Sequence, residues 1–254
     1  MALVYLADAW ARSGGGMATA LIVDHGLRNA SAQEADATDA ALREAGITAV
    51  LLRAEGPATG NLQAWARHQR YALMNAWCRR QGVLHLLVAH HANDLAETVL
   101  GALTRDAGLA GNAGMAAVRE LPDCRLLRPL LDVPRERLEA TLVQRRIGWI
   151  DDPSNRDRRF RRVRLREKLS NRHDAEALAL RALRAGQARQ AHDRRAADLL
   201  AASLRIDGEM VSIARAPLTA AEPETVSTLV AALIRWVGHR VEPPRQDQSL
   251  IHIS

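Results

Sequence analysis

Short apolar runs alternate with amphipathic stretches along the first half of the chain. Met17 to Val23 and Ile47 to Leu52 are apolar runs of strand length, and Val83 to Ala89 is a third. Between them, helical periodicity is present over residues 3–12, 31–44 and 61–81. This alternation predicts an α/β fold with a doubly wound parallel sheet and right-handed crossover connections.

Local sequence signals predict where the helices begin and end. Ser31 followed by Glu34 has the spacing of a capping box, so we expect Ser31 to cap the second helix. Asn61 should cap the third helix, and Gly82 should end it. Ser13 to Gly16 breaks the first helix.

The pattern changes near residue 172. Upstream, Leu126 to Leu131 is another apolar run, and a helix is predicted from Asp132 to about Arg146. Downstream, the pattern predicts a long helix over 175–202, a hairpin over 204–213 that turns at Asp207-Gly208, and a helix over 223–237. We therefore predict one domain over 1–172 and a smaller, mainly helical domain over 173–254.

Composition limits the core and the binding partners. The chain has 254 residues, of which 48% are hydrophobic but only 3% aromatic, so Leu, Ala and Val must fill the core. Its formal net charge is +6, and Lys168 is the only lysine. Arginine binds phosphate through two parallel hydrogen bonds, which favours a nucleic-acid or nucleotide partner. A GC-rich genome that favours arginine codons is the competing explanation.

Cysteine use and hydropathy indicate a cytoplasmic protein. Cys78 and Cys124 are far apart in sequence and form no Cys-x-x-Cys motif, which favours a reducing compartment. The N-terminus lacks the pattern of a signal peptide, because Asp8 interrupts it and no basic segment precedes it. We expect no membrane partner, since no apolar run is long enough to span a bilayer.

The strongest candidate for chemistry is the stretch from Val83 to Thr98. An apolar strand is followed at once by two histidines and two carboxylates, namely His90, His91, Asp94 and Glu97. Ligands of open α/β sheets bind at the carboxyl ends of the strands, which is where these side chains are expected to lie. Each residue alone could be structural, and we expect Asn93 or Asp94 to cap the helix. A metal site is the weaker alternative, because this spacing is not specific to one metal.

Arginine is concentrated in one segment. Seven arginines lie between Arg156 and Arg166, after a loop rich in Asp, Pro, Ser and Asn. A phosphate-binding surface and a solvated charged face explain this run about equally well. The choice between them stays open at this point.

Several segments together resemble one known family, the tRNA(Ile)-lysidine synthetases of the N-type ATP pyrophosphatase (PP-loop) superfamily. The resemblance extends from Met1 to about Arg245, and its motifs occur in the family's order. They are residues 23–28, 61–63 and 67–71, His90-His91 with Asp94, Glu97 and Thr98, Gly111 with Gly114-Met115, residues 128–131, Trp149, and residues 152–155 with the arginines beyond.

The resemblance implies an activity and its participants. Family members use ATP and Mg²⁺ to adenylylate C2 of the wobble cytidine in tRNA(Ile) with a CAU anticodon, and L-lysine then displaces AMP. The implied catalytic residues are Asp94, Glu97 and Arg105, and Asp94 is also the implied metal ligand. The implied nucleotide-binding residues are Asp24, His25, Gly26, Arg28 and His90, and the implied tRNA-binding residues are Asn155, Arg159, Arg162 and Arg164.

The sequence departs from the family at four places. The Ser-Gly-Gly-x-Asp-Ser phosphate loop and its strand are absent, Leu95 replaces Gln, and Asp106-Ala107 replaces Gly-Ser. The chain also ends soon after Arg245, so the resemblance implies a catalytic domain over 1–172 followed by a truncated helical domain, and we expect no second C-terminal domain. Because the phosphate loop supplies backbone N–H groups to ATP, we expect this chain to retain tRNA binding and to lose adenylylation.

Three other functions remain as alternatives. A tRNA thiolation ATPase of the same superfamily would usually carry paired cysteines, and Cys78 and Cys124 are a poor pair. A non-catalytic tRNA-binding protein that has lost its ATP site is the second alternative, and a metal hydrolase is a distant third. The oligomeric state is open, with a homodimer as one expectation.

Overall fold

The computed structural model describes residues 1–27, 30–56, 60–104, 114–149, 165, 172–207 and 210–238. The elements of the first part are α1 (Ala2–Ser13), β1 (Thr19–Asp24), α2 (Ser31–Glu44), β2 (Thr48–Arg53), α3 (Leu62–Gln81), β3 (His85–Leu87) and α4 (Ala92–Leu103). They are followed by β4 (Val118–Glu120), β5 (Arg125–Leu127), α5 (Arg135–Gln144), α6 (Arg172–Ser203), β6 (Leu204–Asp207), β7 (Met210–Ile213), α7 (Arg215–Ala220) and α8 (Pro223–Val237). The predicted alternation of strands and long helices is therefore confirmed.

Two compact units divide the chain at Leu183 and Arg184, inside helix α6. In the first unit, Leu178, Ala182 and Leu183 of α6 pack against Leu95 and Val99 of α4. The first turns of α6 therefore belong to the core of the first unit. The boundary predicted at residue 172 lies at the start of this helix.

Strands β1 and β2 are parallel and covered on both faces. They pair in register from Thr19↔Thr48 to Asp24↔Arg53. Because side chains alternate along a strand, Ala20 and Ile22 face a cluster with α1 and α2, whereas Leu21 and Val23 face α3. This arrangement confirms the doubly wound architecture, with helices on both faces of a parallel sheet.

A second sheet has the order β3-β5-β4. Strands β3 and β5 are parallel, and β4 is antiparallel to β5. Strand β3 is shorter than predicted, and it is not buried on both faces: Leu84 is 61% exposed and His85 is also exposed. The expectation of full burial was wrong, because an apolar run reports the capacity for burial and not the neighbours that would provide it.

Small aliphatic side chains form the core, as the composition predicts. Within the described residues, the buried hydrophobic positions are Ala, Leu, Val, Ile, Met and Cys, and none is aromatic. Leu42, Leu95 and Leu126 are at most 1% exposed. Burial of each such side chain contributes roughly 1.5–3 kcal/mol to folding.

The predicted capping of α2 was wrong, whereas that of α3 is confirmed. Ala30 is the N-cap of α2, and among the described residues no side chain caps this end. Ser31 lies inside the helix, and its hydroxyl donates instead to Asp24 Oδ1 at 2.8 Å. For α3, Asn61 Oδ1 accepts a hydrogen bond from the backbone N–H of Ala64.

The second unit contains most of α6, a hairpin and two helices. Strands β6 and β7 are antiparallel from Leu204↔Ile213 to Asp207↔Met210, which confirms the predicted hairpin; its tip, residues 208–209, lies outside the described residues. His192 on α6 is 2.8 Å from the hydroxyl of Thr228 on α8. In the described part of the chain, no helix combines the length and apolar character needed to cross a membrane.

Candidate functional site at the carboxyl ends of the strands

Asp24 ends β1 and organises the turn that follows. It is 7% exposed, and its Oδ1 accepts hydrogen bonds from the Gly26 backbone N–H at 2.9 Å and from the Ser31 hydroxyl at 2.8 Å. Gly26 adopts φ +63°, a conformation that favours glycine. The hydrogen bond from Gly26 lowers the pKa of Asp24, and the bond from Ser31 adds to this effect, whereas burial opposes it. Asp24 is therefore an ionised carboxylate held in place by its own loop.

His25 is partly buried beside an arginine of α3. Its Nε2 lies 3.2 Å from Nη2 of Arg70. Because a guanidinium only donates, Nε2 must be the acceptor, and the ring proton is on Nδ1. Nδ1 is buried, and no side chain or backbone group in the described part of the chain forms a hydrogen bond with it. Burial and the charge of Arg70 lower the pKa of His25, while Asp24 opposes them, so the neutral ring is favoured.

The first turn of α4 is closed by a reciprocal cap. His91 is the N-cap: its Nδ1 accepts from Asp94 N at 3.4 Å, while Asp94 Oδ2 accepts from His91 N at 3.1 Å. Asp94 is therefore part of a capping box, in which it is the partner of His91 and not the cap itself. Asn93 does not cap the helix, because its Oδ1 accepts from the backbone N–H of Arg135. This contact ties α4 to the start of α5.

Glu97 lies one turn further along α4 and is 2% exposed. It makes interactions of its own within the protein. A buried carboxylate oxygen of this kind is costly unless a cationic group or a proton compensates it. Within the described residues, no three His, Cys, Asp or Glu side chains come together to hold a metal ion. Asp94 and Glu97 are oxygen donors suited to Mg²⁺, which commonly uses one or two protein carboxylates together with substrate phosphates.

Arg128 follows the last residue of β5 and is 5% exposed. Its Nη1 donates to Ala116 O at 2.6 Å, and its Nε donates to His90 Nδ1 at 3.3 Å. His90, which follows β3, must therefore be unprotonated at Nδ1, so a neutral ring carries its hydrogen on Nε2. The parallel strands β3 and β5 thus bring these two side chains together at one edge, as the sequence predicted for His90.

Helix α3 connects the two strand ends. Arg70 contacts His25, which follows β1. The neighbouring Tyr71 interacts through its side chain with Arg128, which follows β5. The guanidinium of Arg67, one turn earlier, lies 5.0 Å from the centre of the Tyr71 ring. One turn of α3 therefore faces both groups of candidate residues.

Gly114 allows the segment before β4 to approach α4. It has φ +60°, and a Cβ at this position would lie 2.7 Å from Leu95 Cδ1 and 3.2 Å from Val99 Cγ2. No larger residue fits without displacing that packing. The close approach positions residues 114–117, and Ala116 supplies the carbonyl that accepts from Arg128.

Several sequence-predicted site residues lie outside the described residues. They are Arg28, Arg105, Asn155, Arg159, Arg162 and Arg164. Conversely, Arg70 and Arg128 were not predicted as site residues, although both lie in segments that carry the family resemblance. For Arg128, its position directly after an apolar strand was the available signal, as for Asp24 and His90.

Comparison with known proteins identifies the family. The sequence profile of the PP-loop domain matches residues 1–173. A tRNA(Ile)-lysidine synthase from Rhodopseudomonas palustris is 40% identical over 96% of this chain and 73% of its own length. The chain belongs to the tRNA(Ile)-lysidine synthase family of PP-loop proteins.

The matches to two other members of this family cover only about half of the relative's length. The Bradyrhizobium diazoefficiens protein is 44% identical over 75% of this chain, and the Ruegeria pomeroyi protein is 37% identical over 88%. In each case the match spans 55% of the relative's length.

A solved structure supports the fold. The U34-tRNA thiolase NcsA from Methanococcus maripaludis, described with its [4Fe-4S] cluster, has a TM-score of 0.62. It is 14% identical, and the match covers 73% of this chain and 67% of the thiolase chain. At this identity the likeness concerns the fold alone.

Proposed function

We propose that this chain is the catalytic part of a tRNA(Ile)-lysidine synthase, which joins L-lysine to C2 of the wobble cytidine of tRNA(Ile) at the expense of ATP. The observation that carries the proposal is the 40% identity to the R. palustris synthase over 96% of the chain. The segments that hold Asp24, His90, Asp94 and Arg128 all lie in the matched PP-loop region.

The reaction has two steps. The cytosine C2 oxygen attacks the α-phosphorus of ATP, and pyrophosphate leaves. The lysine amine then attacks C2, and AMP leaves with the oxygen. Both steps move negative charge onto phosphate oxygens, which cationic groups and backbone N–H donors stabilise. Mg²⁺, when bound through Asp94, would neutralise part of this charge.

The buried carboxylate of α4 suits the lysine amine. Free lysine is an ammonium ion, which must be held and must lose a proton before it can attack. Glu97 is 2% exposed, and a bound cation stabilises a buried carboxylate, so this side chain would hold the ammonium and accept its proton. Asp94, one turn away with its side chain 16% exposed, adds a second negative charge for the same cation.

The remaining assignments follow the family. Asp24, His25, Gly26, Arg28 and His90 would serve the nucleotide, and Arg105 would stabilise charge in the reaction. Asn155, Arg159, Arg162 and Arg164 would bind the tRNA backbone. A cytoplasmic location fits these substrates, and a homodimer remains a proposal.

The thiolation alternative has no support from the cysteines. Cys78 and Cys124 are buried free thiols, and burial raises the pKa of Cys78 to about 12. A thiol with such a pKa is almost entirely protonated at neutral pH and is a poor nucleophile. Both side chains pack in the core beside Met74 and Leu126, which is the role expected of structural cysteines.

Asp94→Asn tests the proposal in the whole protein. Asparagine keeps an oxygen that can accept from the His91 N–H, so the cap survives while the charge is lost. We expect lysine-dependent pyrophosphate release to fall at least about tenfold, or roughly 1.4 kcal/mol of transition-state stabilisation. The control is Asp8→Asn on α1, where the same charge is removed from a surface pair with Arg12. Unchanged turnover at saturating and limiting lysine would leave Asp94 with a capping role only.

A further inference from the structure

Arg128 is a buried cation held by neutral groups. Its partners are a backbone carbonyl, a histidine nitrogen and the side chain of Tyr71, and none of them is a carboxylate. Within the described residues, it forms no ion pair with a carboxylate. Burial lowers the pKa of Arg128, which shows the desolvation that the guanidinium undergoes.

Such an arrangement is costly if it serves the fold alone. Buried charges are normally paired, and an apolar side chain of similar size usually stabilises a fold as well or better. A guanidinium has five N–H donors, and the two bonds to His90 and Ala116 leave further donors for another acceptor. The structure therefore keeps a desolvated cation at the strand edge where ligands of this fold class bind.

Two more arginines reinforce the positive field around Arg128. Arg67 and Arg119 are both exposed, and each acts on Arg128 as a like charge. Two further positive charges raise the local potential around the buried guanidinium, which favours a bound anion. Tyr71 is the remaining polar neighbour, and its side chain opposes the effect of burial on the pKa of Arg128.

We propose that Arg128, with Arg67 and Arg119, forms an oxyanion subsite for the phosphoryl group of a small molecule, either pyrophosphate or the terminal phosphates of a nucleotide. A polynucleotide backbone is a poorer fit, because Arg128 is 5% exposed and a strand of RNA could not reach it. The choice of a phosphoryl ligand rests on the proposed function, in which ATP is consumed and pyrophosphate is released. The subsite itself rests on the burial and partners of Arg128.

The test is titration calorimetry of the chain with inorganic pyrophosphate and, separately, with ATP. Arg128→Met should weaken pyrophosphate binding at least about tenfold, because a charge-assisted, desolvated donor is lost. The matched control is Arg125→Gln at the start of β5, where the exposed arginine is paired with Glu120 at 2.8 Å. This control should bind pyrophosphate as the unmodified chain does. Equal effects on pyrophosphate and ATP would assign the terminal phosphates, and an effect on pyrophosphate alone would assign the released product.

A second variant covers the case in which Arg128→Met does not fold, as judged by circular dichroism. Arg67→Gln combined with Arg119→Gln changes only exposed positions and should weaken pyrophosphate binding about threefold to tenfold, with a smaller salt dependence. Unchanged pyrophosphate affinity in this double variant and in any folded Arg128 variant would overturn the proposal. The proposal would also be overturned if these variants weakened only L-lysine or tRNA binding.

This test separates the subsite from the proposed function. If pyrophosphate binding depends on Arg128 but the whole protein makes no lysidine, the subsite stands and the proposed function fails. If the whole protein makes lysidine and pyrophosphate binding does not depend on Arg128, the proposed function stands and the subsite fails.

Discussion

The ends of β1 and β5 face the same helix but treat their charges in opposite ways. After β1, the carboxylate of Asp24 accepts two hydrogen bonds from its own loop, and its pKa is lowered. After β5, the guanidinium of Arg128 is equally buried but is held by a carbonyl and a neutral histidine. The negative charge of Asp24 is stabilised by donors of its own loop, whereas the positive charge of Arg128 is held in place by groups that carry no negative charge.

The two buried charges therefore differ in how far their own surroundings compensate them. The partners of Asp24 lie two and seven residues away, so this group stabilises the turn whether or not a ligand is present. The partners of Arg128 lie 12 and 38 residues away and merely fix its direction. A charge that costs free energy without a local partner is expected where a ligand will supply the partner.

Gly114→Ala should have the largest effect, because it disturbs the support of Arg128 and leaves the β1 end intact. A Cβ would lie 2.7 Å from Leu95 Cδ1, and φ is +60°. Overpacking costs roughly 1–3 kcal/mol and a left-handed alanine about 1 more, so we expect the free energy of unfolding to fall by about 3 kcal/mol. Urea denaturation measures this change.

Gly46→Ala is the control for Gly114→Ala. Gly46 has φ +72°, but a Cβ there would meet nothing within 4 Å. It should therefore lose only the backbone contribution, about 1 kcal/mol. Equal losses at the two positions would show that close packing onto α4 is not what Gly114 provides.

The contrast between the strand ends also explains what the sequence could predict. Apolar periodicity predicted β1, the helices around it and the edge at which Asp24 and His90 lie, because these features depend on residues close in sequence. Ser31 was misassigned as a cap, since the sequence signature cannot show that Asp24, seven residues earlier, competes for its hydroxyl. His91 was overlooked as a cap because histidine is not among the usual N-cap residues.

The environment of Arg128 was beyond sequence reasoning for a related reason. Its burial depends on contacts with His90, 38 residues earlier, and with Ala116, which Gly114 brings into place. In a chain rich in arginine, the sequence pattern does not show which arginine is buried. Only tertiary contacts distinguish it from Arg125, three residues before, which is exposed and paired with Glu120.

Asp24→Ala should have the next largest effect. It removes the acceptor for the Gly26 N–H and the Ser31 hydroxyl, which should lower the free energy of unfolding by about 1–3 kcal/mol at neutral pH. Asp24→Asn keeps an acceptor and should lose less. Asp36→Ala, which breaks a pair with Arg53 in which both side chains are 62% exposed, should change stability by less than about 0.5 kcal/mol.

The pH dependence of the Asp24 variants sharpens this prediction. Because the pKa of Asp24 is lowered in the folded state, its ionised form stabilises the fold above the ordinary aspartate pKa of about 3.9. That stabilisation is lost as the pH falls through the lower folded-state pKa. Asp24→Asn should therefore show a flatter loss of stability with acid than the unmodified chain. Parallel curves would mean that the Asp24 carboxylate is not the group that titrates.

Arg70→Gln should have the smallest effect, and it probes whether α3 influences the β1 end electrostatically. Burial and Arg70 both lower the pKa of His25, so removing the arginine should raise this pKa toward the ordinary histidine value. A histidine whose pKa is lowered on folding stabilises the fold above about pH 6.5, and this stabilisation is lost as the pH falls through the folded-state pKa. Arg70→Gln should therefore reduce the loss of stability in this range, and NMR titration of the His25 ring measures the pKa directly.

Arg79→Gln, at an exposed position in the last turn of the same helix, removes an equal charge far from His25 and should leave its titration unaltered. If both variants shift the His25 titration equally, the effect comes from the net charge of the chain and not from the 3.2 Å contact between Arg70 and His25.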